Sequence, residues 1–331
     1  MPVIPSAGID IGHSAVKLAI TRPDAASRSP VLELFPSIAI PAFAISDEAE
    51  ARRAARETVT VRGRQYFFGD TARAQGGGVT GLSEDWIESP EHEALLRGAL
   101  RVLERHGTLT DASMIAVGLP ASLFGRQKER MRALAAQVFP GDIKVIPQPF
   151  APYQGLMLDE SGLPQHGRTI TEESWAVVEV GYFTTDFMLA QRGRWVEKAA
   201  GSCSGVRVAA EQLARLLSQR GITADLPECE EALRSRSILD FGRRVDVGAD
   251  VDQAGSLIVT EVVETATRLM EPFARKLNGV VIAGGGASLV FKSIQDKWPH
   301  AVMAMNTRFA VAEGMRRLGL SIQRAMQMAS A

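Results

Sequence analysis

Cysteine is nearly missing from this sequence: Cys203 and Cys229 are the only two among 331 residues. They follow no metal-ligand spacing and the five histidines are scattered, so neither a disulfide framework nor a zinc site is expected. Surplus charge is missing too. A net charge of −1 gives no basic excess for wholesale binding of nucleic acid or an anionic membrane, so any DNA contact is expected to run through another protein. No uncharged apolar run is long enough to span a bilayer, and Met1-Pro2-Val3-Ile4-Pro5 lacks the basic stretch and apolar core of a secretory leader. The expected setting is a reducing cytoplasm without membrane attachment. What is present suits a globular protein: 46% hydrophobic and 23% charged residues, enough for one large core or two moderate ones, and two are favoured.

The organising stretch is Ala7-Gly8-Ile9-Asp10-Ile11-Gly12-His13-Ser14-Ala15-Val16-Lys17-Leu18-Ala19-Ile20. It reads as strand, tight turn and second strand, with apolar residues resuming at period two after Gly12. Asp10 ends the first strand at a turn expected to face solvent. In Gly12-His13-Ser14 the backbone N–H groups are able to close around phosphate oxygens, with Asp10 facing the phosphate through a magnesium ion and its waters. A plain hairpin with an exposed Asp is the alternative for this stretch alone. A second copy, Trp175-Ala176-Val177-Val178-Glu179-Val180-Gly181-Tyr182-Phe183-Thr184-Thr185-Asp186, argues against accident. Glu179 corresponds to Asp10 and Gly181 to Gly12. Each copy opens one half of the chain, which predicts two related domains facing each other across a nucleotide.

These paired turns, with Gly284-Gly285-Gly286-Ala287-Ser288 and the segment Asn306 to Gly314, resemble the superfamily of actin, sugar-kinase and heat-shock-chaperone ATPases. Within it, Gly8-Ile9-Asp10-Ile11-Gly12, Val117-Gly118-Leu119-Pro120 and Thr184-Thr185-Asp186 are most similar to the bacterial actin-like proteins that segregate plasmids, the ParM/StbA group. The resemblance implies an α/β actin-like (ribonuclease H-like) fold of two domains, each a mixed sheet flanked by helices, with nucleotide in the cleft. The first domain is expected over 1–165, with a small inserted subdomain at about 36–88, and is completed by the C-terminal helix 309–331. The second spans 172–308, with an insertion at about 222–252.

The resemblance also implies site roles. Gln148 would orient the attacking water, with Asp10 and Glu179 holding magnesium through water. Gly12, His13, Ser14, Lys17, Gly181, Tyr182, Phe183 and Thr184 would surround the phosphates. Arg207 and Glu211, after Gly205, would lie beside the nucleoside, and Gly284, Gly285, Gly286 and Ala287 beside the adenosine. Plainer readings stand next to these: Gln148 as a helix cap, Arg207 and Glu211 as a surface i,i+4 pair. Two departures stand out. Glu179 replaces the family's usual Asp, and Tyr182 replaces a small residue and is expected to crowd the second turn, slowing hydrolysis while sparing binding.

The rest of the chain reads as alternating helix and strand. Val31 to Ile40 is one strand interrupted by Pro36, followed by a helix from Asp47 to Glu57, a hairpin across Arg62-Gly63-Arg64 and a loop marked by Gly76, Gly77, Gly78 and Gly81. A helix from Glu91 to His106 carries Ser89 as N-cap and Pro90 at its first position. Further helices are expected at Gln127 to Phe139, from Val206 to Gly221, Gln253 to Lys276 and Phe309 to Leu318, with Trp195 to Ala199 as a strand. The leading function is an ATPase that binds ATP or ADP (GTP remaining open) with magnesium, polymerises with itself, and segregates plasmid DNA through a DNA-binding adaptor. A static scaffold actin and a small-molecule kinase of the same fold are the alternatives; no catalytic carboxylate for a kinase stands out in the first domain.

Overall fold

The computed structural model describes residues 5–22, 29–78, 85–107 and 109–330; Gly81 and Met1 to Ile4 lie outside them. The chain divides into two units, residues 1–169 with 309–331, and residues 170–308.

In the first unit β1 (Ser6–Ile11) and β2 (Ala15–Ile20) form a hairpin, and β3 (Val31–Pro36) pairs with β2. The interruption expected at Pro36 divides Val31 to Ile40 into two strands. The chain leaves the main sheet at Pro36, and β4 (Ala39–Pro41) enters a separate three-stranded sheet with β5 (Thr58–Val61) and β6 (Arg64–Phe68). Helix α1 (Glu48–Arg56), capped by Asp47, lies between them, and α2 (Gly69–Ala74) follows. A short 3-10 turn, Trp86–Glu88, leads into α3 (Pro90–Arg105), where Ser89 accepts from the His92 amide. Then come β7 (Met114–Leu119), α4 (Ala121–Val138), which starts six residues before the expected Gln127, β8 (Asp142–Pro147) and α5 (Phe150–Met157).

The second unit runs β9 (Ser174–Val180), β10 (Thr184–Gln191), β11 (Arg194–Trp195), β12 (Gly201–Ser204), α6 (Arg207–Gln219), α7 (Leu226–Ser235), the hairpin β13 (Ser237–Asp240) and β14 (Arg243–Asp246), α8 (Gly248–Ala274), β15 (Gly279–Ala283), α9 (Ala287–Lys297) and β16 (Ala301–Met303). The expected strand at Trp195 to Ala199 is instead a two-residue strand and a 3-10 turn. Gly201 to Ser204, which leads towards α6, pairs along β10. The chain then returns to the first unit as α10 (Ala310–Ser330), which runs on past Leu318 through the span 309–331 expected for the C-terminal helix.

The two main sheets share a plan. In one the order is β3-β2-β1-β7-β8 and in the other β11-β10-β9-β15-β16, with β12 added on β10. In both, the first strand of the repeat is antiparallel to its hairpin partner and parallel to the later strand on its other side. Parallel neighbours covered by helices read as unbroken apolar runs, which is why β1, β7, β9 and β15 are buried end to end. One core gathers Ile9, Leu18, Leu95 and Ile115; the other gathers Val178, Phe187, Leu213 and Ile282. Helix α10 lies directly on β1, because a Cβ at Gly8 would stand 1.9 Å from the Ala312 carbonyl oxygen.

Candidate functional site

In the first unit three side chains meet at the end of β1. Lys17 Nζ on β2 lies 2.9 Å from Asp10 Oδ2, and Gln148 Nε2, just past β8, donates to Asp10 Oδ1 at 2.8 Å. A carboxylate only accepts, so this contact fixes which end of the Gln148 amide is the nitrogen and leaves Oε1 as an acceptor. The Gln148 side chain does not cap α5. Room for it comes from Gly118 on β7, where a Cβ would lie 2.9 Å from Gln148 Cγ. Asp10 is only 4% exposed, which corrects the solvent-facing carboxylate read from the sequence: β2 and Gln148 cover it.

The turn that follows is held on one side. Ser37, fully buried between β3 and β4, donates its hydroxyl to the Gly12 carbonyl and its amide to the Ser14 carbonyl at 3.1 Å. Because a trans peptide points its N–H opposite its C=O, holding the Gly12 carbonyl on Ser37 turns the His13 amide the other way. A Cβ on Gly12 would sit 3.0 Å from Lys17 Nζ and 3.1 Å from the Ala15 oxygen, so any larger residue there would crowd the turn. The His13 ring stacks on Trp86. Neither Ser37 nor Trp86 was singled out by the sequence, since each is remote from the turn and belongs to no local pattern.

In the second unit Glu179 ends β9 and is 8% exposed. The Gly181 amide donates to the Thr184 carbonyl at 2.9 Å, closing the turn, and Thr184 Oγ1 lies 3.4 Å from Asp186 Oδ2. The turn sits on the start of α6: Val206 N donates to Gly181 O, Arg207 N to Tyr182 O and Gly205 N to Phe183 O. Gly205 serves that packing, for its Cβ would lie 2.5 Å from the Tyr182 oxygen. The Tyr182 hydroxyl is pushed up to about 12 by burial and then by Glu230, with Arg207 opposing and Glu211 and Cys229 adding. Its phenol thus lies among groups of α6 and α7. Arg207 Nε bonds Glu211 at 2.7 Å, the i,i+4 pair, and its guanidinium also lies 5.0 Å from the Phe183 ring centroid. Arg308, which the sequence reading passed over, is half-buried, and burial followed by the nearby Arg234 lowers its pKa.

The glycine triplet, expected beside the adenosine, is required by the loop's own packing at two of its three positions. Gly284 has φ +90°, and a Cβ there would meet the Val180 oxygen at 2.3 Å; one on Gly286 would meet Val206 Cγ2 at 2.3 Å. These two pack the loop onto β9 and α6, with the Gly286 amide donating to the Val180 carbonyl at 3.0 Å. Gly285 alone of the three faces open space, beside the start of α9, where the Ala287 and Leu289 amides donate to the Gly284 and Gly286 carbonyls at 3.3 and 3.0 Å. Among the described residues no group of three or more His, Cys, Asp or Glu is placed to hold a metal ion. No helix among them is long and apolar enough to cross a membrane.

The segment 8–139 matches the family model for the N-terminal domain of actin like proteins, and 177–296 matches that for the C-terminal part of the archaeal actin homologue, MreB-like. No curated protein matches the sequence. Among solved structures the chain is similar to a 15-stranded ParM filament from Clostridium botulinum, with 18% identity, covering 95% of this chain and 98% of that one at a TM-score of 0.72. It is also similar to an archaeal actin homolog (17%, 98% and 99% covered, TM-score 0.72) and to Bacillus thuringiensis ParM with ATP (13%, 98% and 99%, TM-score 0.64). At these identities the likeness is one of fold. By its two-unit architecture and by both family models, the chain belongs to the actin-like proteins.

Proposed function

We propose that this protein binds ATP with magnesium, hydrolyses it, and polymerises with itself into filaments that turn over, serving plasmid partition through a DNA-binding adaptor. The observation that carries the hydrolytic part is the meeting of Asp10, Lys17 and Gln148. A primary amide tied to a carboxylate through its nitrogen is oriented but not basic, and its Oε1 accepts from a water without removing the proton. Lys17 supplies a positive charge at the same place. These groups fit a nucleotide phosphate. They also fit magnesium held through its waters, since Asp10 and Glu179 are single carboxylates and not a ligand cage. Magnesium, when bound, neutralises phosphate charge. The filament part draws on the likeness to a multi-stranded ParM filament, and partition through an adaptor on the resemblance of Gly8-Ile9-Asp10-Ile11-Gly12, Val117-Gly118-Leu119-Pro120 and Thr184-Thr185-Asp186 to the plasmid-segregating actin-like group.

The test is phosphate release and light scattering with ATP, on the full chain and on Gln148→Ala. Losing one positioned contact should slow hydrolysis by roughly tenfold to a thousandfold while ATP affinity stays near normal. Equal losses of rate and affinity would make Gln148 a structural residue. Turnover without scattering would favour a kinase, and scattering without turnover a static scaffold.

A further inference from the structure

The main sheet of the second unit ends in a strand whose outer side is bare. β16 pairs with β15, and among the described residues no strand lies beyond it. The Val280 amide donates to the His300 carbonyl and the Ala304 amide to the Ile282 carbonyl, so residues 300, 302 and 304 turn their peptide groups towards β15. Alternation then directs the N–H and C=O of Met303 and the C=O of Ala301 outwards. The Ala301 amide is already given to the Trp298 carbonyl at 2.9 Å. Sheets guard such an edge with charge or proline. At the other main-sheet edges β3 carries Glu33 and Pro36, β8 Lys144 and β11 Arg194. From Ala301 to Met305 there is neither, and Val302, Met303 and Met305 are 41%, 45% and 82% exposed.

An unguarded apolar edge fits an apolar strand, and this segment fits its own copy. Laid antiparallel on itself about Met303, it brings Ala301 opposite Met305 and Val302 opposite Ala304, so on either side of the centre a larger side chain meets an alanine and no charge meets a like charge. Met303 faces itself, and because its peptide groups already point outwards the two copies exchange both N–H···O=C bonds. A register centred on Val302 would need the Ala301 amide, which Trp298 holds. We propose that β16 is a self-docking edge: two copies of this chain pair antiparallel along Ala301–Met303, with Met303 on the two-fold axis, and join their main sheets into one. Such a contact is isologous and closes at two copies. It involves far fewer than the roughly 20 residues a side of a lasting interface, so it is weak between free protomers and gains where copies are held in a row. It needs no nucleotide and stands apart from the filament reading.

Met303→Cys and Val302→Cys are oxidised with copper–phenanthroline, with the unaltered full chain as the blank for Cys203 and Cys229, whose thiols burial pushes up to about 11. On the axis a hydrogen-bonded pair stands about 5.5 Å apart at Cα, within reach of a disulfide, whereas residues one place off it stand about 8 Å apart, beyond reach. Met303→Cys should therefore form a linked dimer at least roughly tenfold faster than Val302→Cys. Equal rates, or a faster Val302→Cys, would overturn the proposal. So would the absence of a dimer from either, the result expected of an edge made for a foreign strand. A charge pair supplies the second arm. Met303→Lys alone and Met303→Glu alone set like charges on the axis and should sediment as monomers, while their mixture should associate. A mixture no more associated than its parts would refute the two-fold contact. A Met303→Cys dimer from protein that scatters no light with ATP would sink the filament reading and leave this contact standing.

Discussion

Alanine at Gly284 and alanine at Gly285 should have opposite consequences, although the two residues are neighbours in one triplet. At Gly284 the left-handed backbone and a Cβ 2.3 Å from the Val180 oxygen combine strain with overpacking, and Gly284→Ala should cost about 2 kcal/mol or more. Gly285→Ala meets nothing within 4 Å and should stay within about 0.5 kcal/mol of wild type. Urea unfolding of the two variants measures this, and equal stabilities would contradict the packing described for Gly284. The same contrast marks what a sequence discloses at this scale. Asp10, Gly12 and Gly181 stood out because each sits inside a repeated strand and turn, and Gln148 because a family resemblance marked its place after a strand; its bond to Asp10 was not foreseen. Ser37 and Trp86 were not, because what matters about them is a contact made far along the chain. Nor does a sequence distinguish a glycine that faces a ligand from one that faces a carbonyl.

Elements with a strong local signal stand where the sequence puts them: β1, β2, β9 and β10 by apolar periodicity, and α3 by Ser89 and Pro90. Those decided by pairing do not. Gly201 to Ser204 has no intrinsic strand preference and becomes β12 only because the exposed side of β10 is available to it. The corner formed by the 3-10 turn and α3 carries its own prediction. His92 is buried neutral, so its folded pKa, about 3, lies below the unfolded value of about 6.5. Between these values the unfolded chain binds a proton that the folded one does not. Stability is thus fully present above about pH 6.5 and should fall on acidification by up to about 1.4 kcal/mol per pH unit from this group. Urea unfolding at pH 7 and pH 5 should show the decline, and in His92→Phe the slope should be shallower. An unchanged slope would mean that His92 is not buried in its neutral form.

For the molecule as a whole, nucleotide dependence of assembly is the sharpest consequence of the proposed function. A few kcal/mol of preference for one nucleotide state is enough to shift a population from mostly incompetent to mostly competent. The critical concentration for sedimentation should therefore be at least roughly tenfold lower with ATP, or a slowly hydrolysed analogue, than with ADP. Gly181→Val should raise the ATP value towards that of ADP, because its Cβ would stand 2.8 Å from the Thr184 oxygen that closes the second turn. Identical critical concentrations in the two nucleotides would favour a static scaffold.

The packing of α10 on β1 also sets a timetable for synthesis. The central strand of the first unit is made before any of residues 170–308, yet the backbone it must lie against, around Ala312, is made only after all of them. Gly314, whose Cβ would clash with the Ala151 oxygen, and fully buried Arg316, bonded to Glu313 and the Glu160 carbonyl, arrive equally late. The half of the protein that is begun first is thus the half that is finished last, and a chain released at residue 308 would hold every strand of the second unit's sheet but a first sheet without its roof.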